Sequence, residues 1–271
     1  MIANLVLNSM TGRESDRSTS REYLRDLILV LTQKEVQVRY RNTWLGYAWS
    51  LLHPLTFAIV YYIAFGVIMR VPIDNYAGFL IVGLFPWQWI SQALGTAPNI
   101  FLANASLVKK VKFPWNALVV STVGNFGVQF VLSLPVMAGT ALWYGSSPSF
   151  AWLIGIPVLA VIQFATLYGL SLAIACTNLF FRDLDRLVSL AIAFLFFLTP
   201  ITYSVRMVPA GYEPLLILNP VAPIMLSWQQ LFLSGRFLWP SFAAAVVIAT
   251  VSVWFGTWLY GRLSLRFAEV I

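Results

Sequence analysis

The sequence predicts an all-α integral membrane protein with six transmembrane helices and both termini cytoplasmic. Three observations carry this. First, 59% of the 271 residues are hydrophobic and only 10% are charged, where a soluble domain carries roughly 25%; the mean hydropathy is +0.79. Second, six apolar stretches approach or exceed the ~20 residues needed to cross a bilayer. Third, every formal charge falls outside those stretches, and fourteen of the seventeen lysines and arginines collect on one side of them.

The elements follow in chain order. Residues 1–20 are polar and rich in Ser, Thr and Arg toward their end, and are read as a mobile N-terminal extension. The apolar patch at the start is short and lacks a basic flank, so no cleaved signal peptide is expected. Residues 21–43 form an amphipathic cytoplasmic interface helix and a joint. Within 22–36, Leu24, Leu27, Ile28 and Leu31 repeat at helical spacing, and such a helix lies flat at the membrane surface. The six-helix transmembrane domain is placed at 44–261, with spans at roughly 46–69, 77–97, 115–143, 151–178, 187–204 and 239–261, and a cytoplasmic tail at 262–271. Arg39 and Arg41 beside Trp44, Tyr47 and Trp49 suit the interfacial end of span one, where anionic lipid favours cations and tryptophans gather.

Charge sets the orientation. Arg13, Arg17, Arg21, Arg25, Lys34, Arg39 and Arg41 precede span one; Lys109, Lys110 and Lys112 follow span two; Arg182 and Arg186 follow span four; Arg262 and Arg266 follow span six. Only Arg70, Arg206 and Arg236 fall on the opposite side. The positive-inside rule makes the larger set cytoplasmic. The 205–238 connection holds four prolines and an apolar stretch at 221–233 that is too short to span. There Val221, Ile224, Met225, Trp228, Leu231 and Phe232 share a helical face and Gly235 supplies a stop. A stretch of that length reads as a re-entrant or interfacial hairpin on the outer side.

The residue inventory removes several function classes. One cysteine, Cys176, and one histidine, His53, leave no internal disulfide and no multi-Cys or His-pair metal site. There is no GxxxxGK[ST] phosphate loop and no GxSxG nucleophile elbow. The net charge of +7 sits on membrane-flanking loops, so it points to anionic membrane lipid and not to nucleic acid. A charge within a span usually marks an ion or proton path, and its absence here weighs against a proton-coupled pump.

Two in-span patterns stand out. Ser121, Asn125, Gln129 and Ser133 recur every four residues in span three, either as interhelical hydrogen-bonding groups or as a face toward a polar passage. Phe57, Tyr61 and Phe65 recur likewise in span one with Tyr62 beside them; span two has Phe85, Trp87 and Trp89, and span five has Phe194, Phe196 and Phe197. These aromatics face either lipid or a passage whose rings suit the CH groups of sugars.

Five ordered stretches carry a family resemblance: KEVQVRYRNTWLGYAWSLLHPL (34–55), GLFPWQWISQAL (83–94), SLVKKVKFP (106–114), NLFFRDLDRL (178–187) and LTPITYSVRMVP with LNPVAP (198–223). Together they resemble ABC-2-type permeases that export polysaccharide, from about Arg21 to Arg266, and most of all those exporting lipid-linked O-antigen. The resemblance implies a half-channel that pairs with a second copy of itself, binds two copies of a cytoplasmic ATPase, and moves an undecaprenyl-linked polysaccharide across the cytoplasmic (inner) membrane of a bacterium. It implies no cofactor in this chain, with ATP and Mg²⁺ bound by the partner. ATPase coupling would fall to Glu22, Arg25, Asp26, Lys34, Arg39, Arg41, Asn104, Lys109, Lys110, Lys112, Arg182, Asp183, Asp185 and Arg186. The channel candidates are Phe57, Tyr61, Tyr62, Phe65, Phe85, Trp87, Trp89, Ser121, Asn125, Gln129, Phe197 and Tyr203. Relatives exporting teichoic acid, capsular polymer, lipid or drug are the alternatives. An intramembrane transferase would have to rest on Asp183 and Asp185, the one close acid pair beside a span.

Overall fold

The computed structural model describes residues 48–105, 113–145, 149–212, 216 and 219–267, and these are helical and irregular, with no strand among them. The expected extension 1–20 and the interface helix and joint 21–43 lie outside the described residues.

Helix α1 covers Ala48–Tyr61 and widens into a π-helical stretch, Tyr62–Ile68. Its loosened turns end in long-reach bonds, Met69 N–H to the Ala64 carbonyl at 3.0 Å and Val71 N–H to Phe65 at 2.9 Å. A connection through Asn75, whose left-handed φ of 53° suits an asparagine, leads to α2, Tyr76–Thr96. A 3₁₀ turn at Ala97–Asn99 carries α2 into the short α3, Ile100–Ala103. The remaining helices are α4 (Asn116–Trp143), α5 (Phe150–Asn178), α6 (Leu184–Leu198), α7 (Ala222–Ser234) and α8 (Trp239–Leu263).

Among the described residues, five stretches are long and apolar enough to cross a membrane: Leu51–Ile68, Tyr76–Ala103, Asn116–Trp143, Phe150–Asn178 and Trp239–Arg266. The stretch expected to be the other span, 187–204, behaves differently. Its helix α6 has 15 residues, about 22 Å at 1.5 Å per residue, which is short of the roughly 30 Å hydrocarbon core. Pro200 is the cause, since the residue before a proline is pushed out of the helical region. Thr199 accordingly adopts φ −94°, ψ 136°. The chain then runs on irregularly through Thr202 while staying buried.

That break is held by polar groups from elsewhere. Gln229 Nε2 donates to the Pro200 carbonyl at 2.7 Å and the Tyr76 hydroxyl to the Thr202 carbonyl at 2.7 Å. Asn219 donates to Thr199 Oγ1 at 2.8 Å, while its Oδ1 accepts from the backbone N–H groups of Val221 and Ala222 at the start of α7. Freed carbonyls away from water need such partners.

Helix α7 is the apolar stretch that is too short to span. Its expected face is all buried: Val221, Ile224, Met225, Trp228, Leu231 and Phe232 are each at most 2% exposed. The helix packs on α2, α4, α5 and α8, so it sits inside the bundle, and Gly235 ends it at φ 62°. The Trp228 indole donates to Gln163 Oε1 at 2.7 Å, and Gln163 Nε2 donates to the Pro86 carbonyl at 3.0 Å. One glutamine thus ties α7, α5 and α2 together.

Helices α5 and α8 form the most extensive pairing in the bundle. Gly169 of α5 lies directly against the backbone of Ser252 and Val253, and Gly256 of α8 against the carbonyl of Gly169. Small residues at such a crossing let two backbones touch, which is how helices gain packing energy in lipid. Burial then divides the long helices. Within an eighteen-residue apolar window of each helix, 72% of the residues are buried in α2 and 67% in α4, against 22% in α8 and only 11% in α1. Helices α2, α4 and α7 form the centre, with α1 and α8 as outer walls.

Candidate functional site

Two regions collect the residues singled out above: an aromatic face on α1 and α6, and the end of the bundle bearing Asn104 and Arg182.

On α1 the rings climb the helix at i+4 spacing, with centroids of His53 and Phe57 4.9 Å apart, Phe57 and Tyr61 6.1 Å, and Tyr61 and Phe65 6.1 Å. Phe196 of α6 joins this ladder, 5.3 Å from Tyr61, 5.5 Å from Trp87 of α2 and 5.3 Å from Phe197. Phe57, Tyr62 and Phe197 are exposed, and Tyr61, Phe65 and Tyr203 are half-buried. The face has no formal charge between His53 and Met69 on α1, or between Leu187 and Leu198 on α6.

The other six expected lining residues belong to the interior of the chain. Phe85, Trp87 and Trp89 are buried, as are Ser121, Asn125 and Gln129. The polar stripe of α4 therefore faces α2 within the chain and presents no open surface. Trp89 makes the bond across this contact, its indole donating to the Val123 carbonyl at 3.1 Å while the ring lies on Gly127. The serines fold back on their own helix, Ser121 to Leu118 and Ser133 to Phe130. Asn125 Oδ1, Gln129 Nε2 and Gln88 Oε1 are buried atoms with no hydrogen-bond partner among the described residues. Gln88, Gln92 and Gln129 line a cavity of about 10 Å³, room for about one water. Sequence reasoning did not single out Gln88, Gln92 or Gln163, although amides within an apolar span were the available signal.

At the other region, Asn104 caps the short α3, its Nδ2 donating to the Ile100 carbonyl at 2.9 Å. Arg182, Asp183 and Arg186 are exposed in the α5–α6 turn and Asp185 is half-buried. Glu22, Arg25, Asp26, Lys34, Arg39, Arg41, Lys109, Lys110 and Lys112 lie outside the described residues. Helix α8 gives way to a 3₁₀ turn, Ser264–Arg266, and Phe267 is buried, so the expected tail is packed as far as that residue. His53 lies tilted against Phe57, and Cys176 is fully buried. No group of three or more His, Cys, Asp and Glu able to hold a metal occurs among the described residues.

The sequence profile of the ABC-2 type transporter family matches residues 26–233. The chain belongs to the ABC-2 type transporter family. It is a multi-pass membrane protein and a transport subunit, not itself catalytic. Two proteins of Klebsiella pneumoniae called O-antigen export system permease protein RfbA are each 39% identical to it over 249 residues, covering 92% of this chain and 96% of theirs. A protein of the same name from Myxococcus xanthus is 34% identical over 252 residues, 91% of this chain and 96% of its own. Both regions lie within the matched part of the chain, except for the segment after residue 233.

Proposed function

We propose that this chain is the permease subunit of an ATP-driven exporter of lipid-linked O-antigen polysaccharide in the bacterial cytoplasmic membrane. The supporting observation is the near full-length likeness to O-antigen export permeases combined with an exposed aromatic face free of formal charge on α1 and α6. Rings offer sugar CH groups a surface, and tyrosine adds a polar handle. Two copies would pair through the thinly buried α1 and neighbouring α6, enclosing the passage. The lining set is thereby narrowed to Phe57, Tyr61, Tyr62, Phe65, Phe197 and Tyr203.

Two ATPase subunits would bind at the cytoplasmic end, supplying ATP and Mg²⁺, with contacts from the interface helix, the 103–113 stretch and the Arg182–Arg186 turn. The charge imbalance across the spans supports cytoplasmic termini. In this topology α6 completes the sixth crossing together with the protein-buried break at 199–202, and α7 is a re-entrant helix entering from the outer side. Non-helical backbone at membrane depth is tolerated where protein covers it, as it does here.

The test is reconstitution of the chain with its ATPase in lipid vesicles. Addition of undecaprenyl-linked O-antigen should stimulate ATP hydrolysis. Stimulation by simple lipids or drugs in its place would reassign the cargo, and no stimulation by any of them would defeat the exporter reading.

A further inference from the structure

At the end of the bundle bearing Asn104 and Arg182, one ring touches four others, from α3, the start of α4, the turn after α5, and α8. Phe267, 1% exposed, lies 5.7 Å from Phe101 in α3, 5.0 Å from Trp115 at the start of α4, 6.3 Å from Phe180 after α5 and 6.0 Å from Tyr260 in α8. The Trp115 contact is stacked, with planes at 21°. Phe101 is itself fully buried and 5.8 Å from Trp115.

The position of these partners matters more than their number. Phe101 and Trp115 flank the stretch holding Lys109, Lys110 and Lys112, and Phe180 roots the turn holding Arg182 to Arg186. These are the two loops that the proposed exporter would offer to its ATPase. They emerge from different helix pairs, α3 with α4 and α5 with α6. Among the described residues, Phe267 is the ring in contact with the roots of both.

We infer that Phe267 is a positioning residue that binds the two loop roots into one body, so that ATPase movement reaches the helices undivided. The inference rests on the exporter reading. Close-packed interiors pass displacement on because they do not deform continuously. With the ring removed, each loop would yield locally and the stroke would be absorbed before reaching α2 and α5. Hydrolysis would go on while transport declined.

The experiment is co-expression of the full chain with its ATPase in O-antigen-producing cells. Surface polysaccharide per membrane-inserted chain is measured, and ATP hydrolysis is measured on the purified complex. Phe267→Ala should recover normal amounts of ATPase and hydrolyse at near the wild-type rate. Its export should fall about fivefold or more, the lower end of coupling between distant sites. Phe267→Tyr should restore export. Removal of residues 268–271 should leave it unchanged, whereas removal of 267–271 should reproduce the loss. If Phe267→Ala fails to insert, Phe267→Leu, which keeps apolar bulk without the stacked ring, must show the same split. Unchanged export, or hydrolysis and export falling by the same factor, overturns the inference. A wild-type chain that recovers no ATPase overturns the exporter reading instead.

Discussion

The crossing of α5 and α8 makes the sharpest stability prediction. A Cβ placed on Gly169 would lie 2.5 Å from Val253 N and closer still to the Ser252 carbonyl, all backbone atoms that cannot rotate away. Carbon contacts settle at about 3.5–4.0 Å, so Gly169→Ala requires the helices to part by more than about 1 Å. A gap of about 0.5–1 Å forfeits a quarter to a half of the dispersion energy of each facing atom pair, and overpacking of one methyl typically costs about 1–3 kcal/mol. Gly256→Ala presses on the Gly169 carbonyl from the other side and should cost a similar amount. Once the first methyl has separated the helices, the second meets relieved space, so the double variant should lose less than the sum of the singles by about 0.5 kcal/mol or more. Gly139, where a Cβ would meet nothing within 4 Å, is the control, with an expected change within about 0.5 kcal/mol. The assay is the unfolding midpoint of detergent-purified protein, read as loss of the monodisperse peak after heating. Wild-type stability in Gly169→Ala, or strictly additive losses, would refute this account of the crossing.

Other predictions follow from single contacts. Gln163→Leu strands the Trp228 indole N–H in a buried site and should destabilise by about 1–3 kcal/mol; adding Trp228→Phe should recover part of that in the same assay. Asn219→Ala removes the acceptor for two backbone N–H groups at the head of α7 and should cost about 0.5–2 kcal/mol, again read from the midpoint. Cys176 is fully buried, so a maleimide should label the chain only after denaturation, as followed by mass. Tyr61→Ala should lower export per folded complex about two- to tenfold, matching aromatic contacts of about 0.5–1.5 kcal/mol, and Tyr61→Phe should be tolerated.

How far the sequence could be read depended on contrast. The buried face of α7 was legible because its apolar residues from Val221 to Phe232 recur at helical spacing and Gly235 marks the end. Helix limits at Tyr76, Asn116 and Phe150 were legible to within a residue because polar connections bound them. The early end of α6 was written in Pro200, but an apolar window counted past it. The division of aromatics was not legible, because in a bilayer both lipid and protein interior are apolar. Trp87, at 7% exposure, and Trp254, at 63%, both sit in stretches apolar enough to cross a membrane. The pairing of Gly169 with Gly256 was hidden for another reason: 87 positions separate them, and a lone glycine does not name its partner.

The break after Leu198 has a consequence for anyone exchanging parts between related exporters. Its carbonyls are satisfied by Tyr76 and Gln229, and its Thr199 hydroxyl is bonded to Asn219, so the motif is distributed over three separate stretches of chain. A chimera joined between residues 204 and 219 would inherit the kink from one parent and half of its supports from the other. A functional graft has to carry 199–229 as one cassette and match it with a hydroxyl at position 76. By the same logic, Tyr76, Pro200 and Gln229 should travel together as permeases of this architecture diverge, even where the cargo they move has changed.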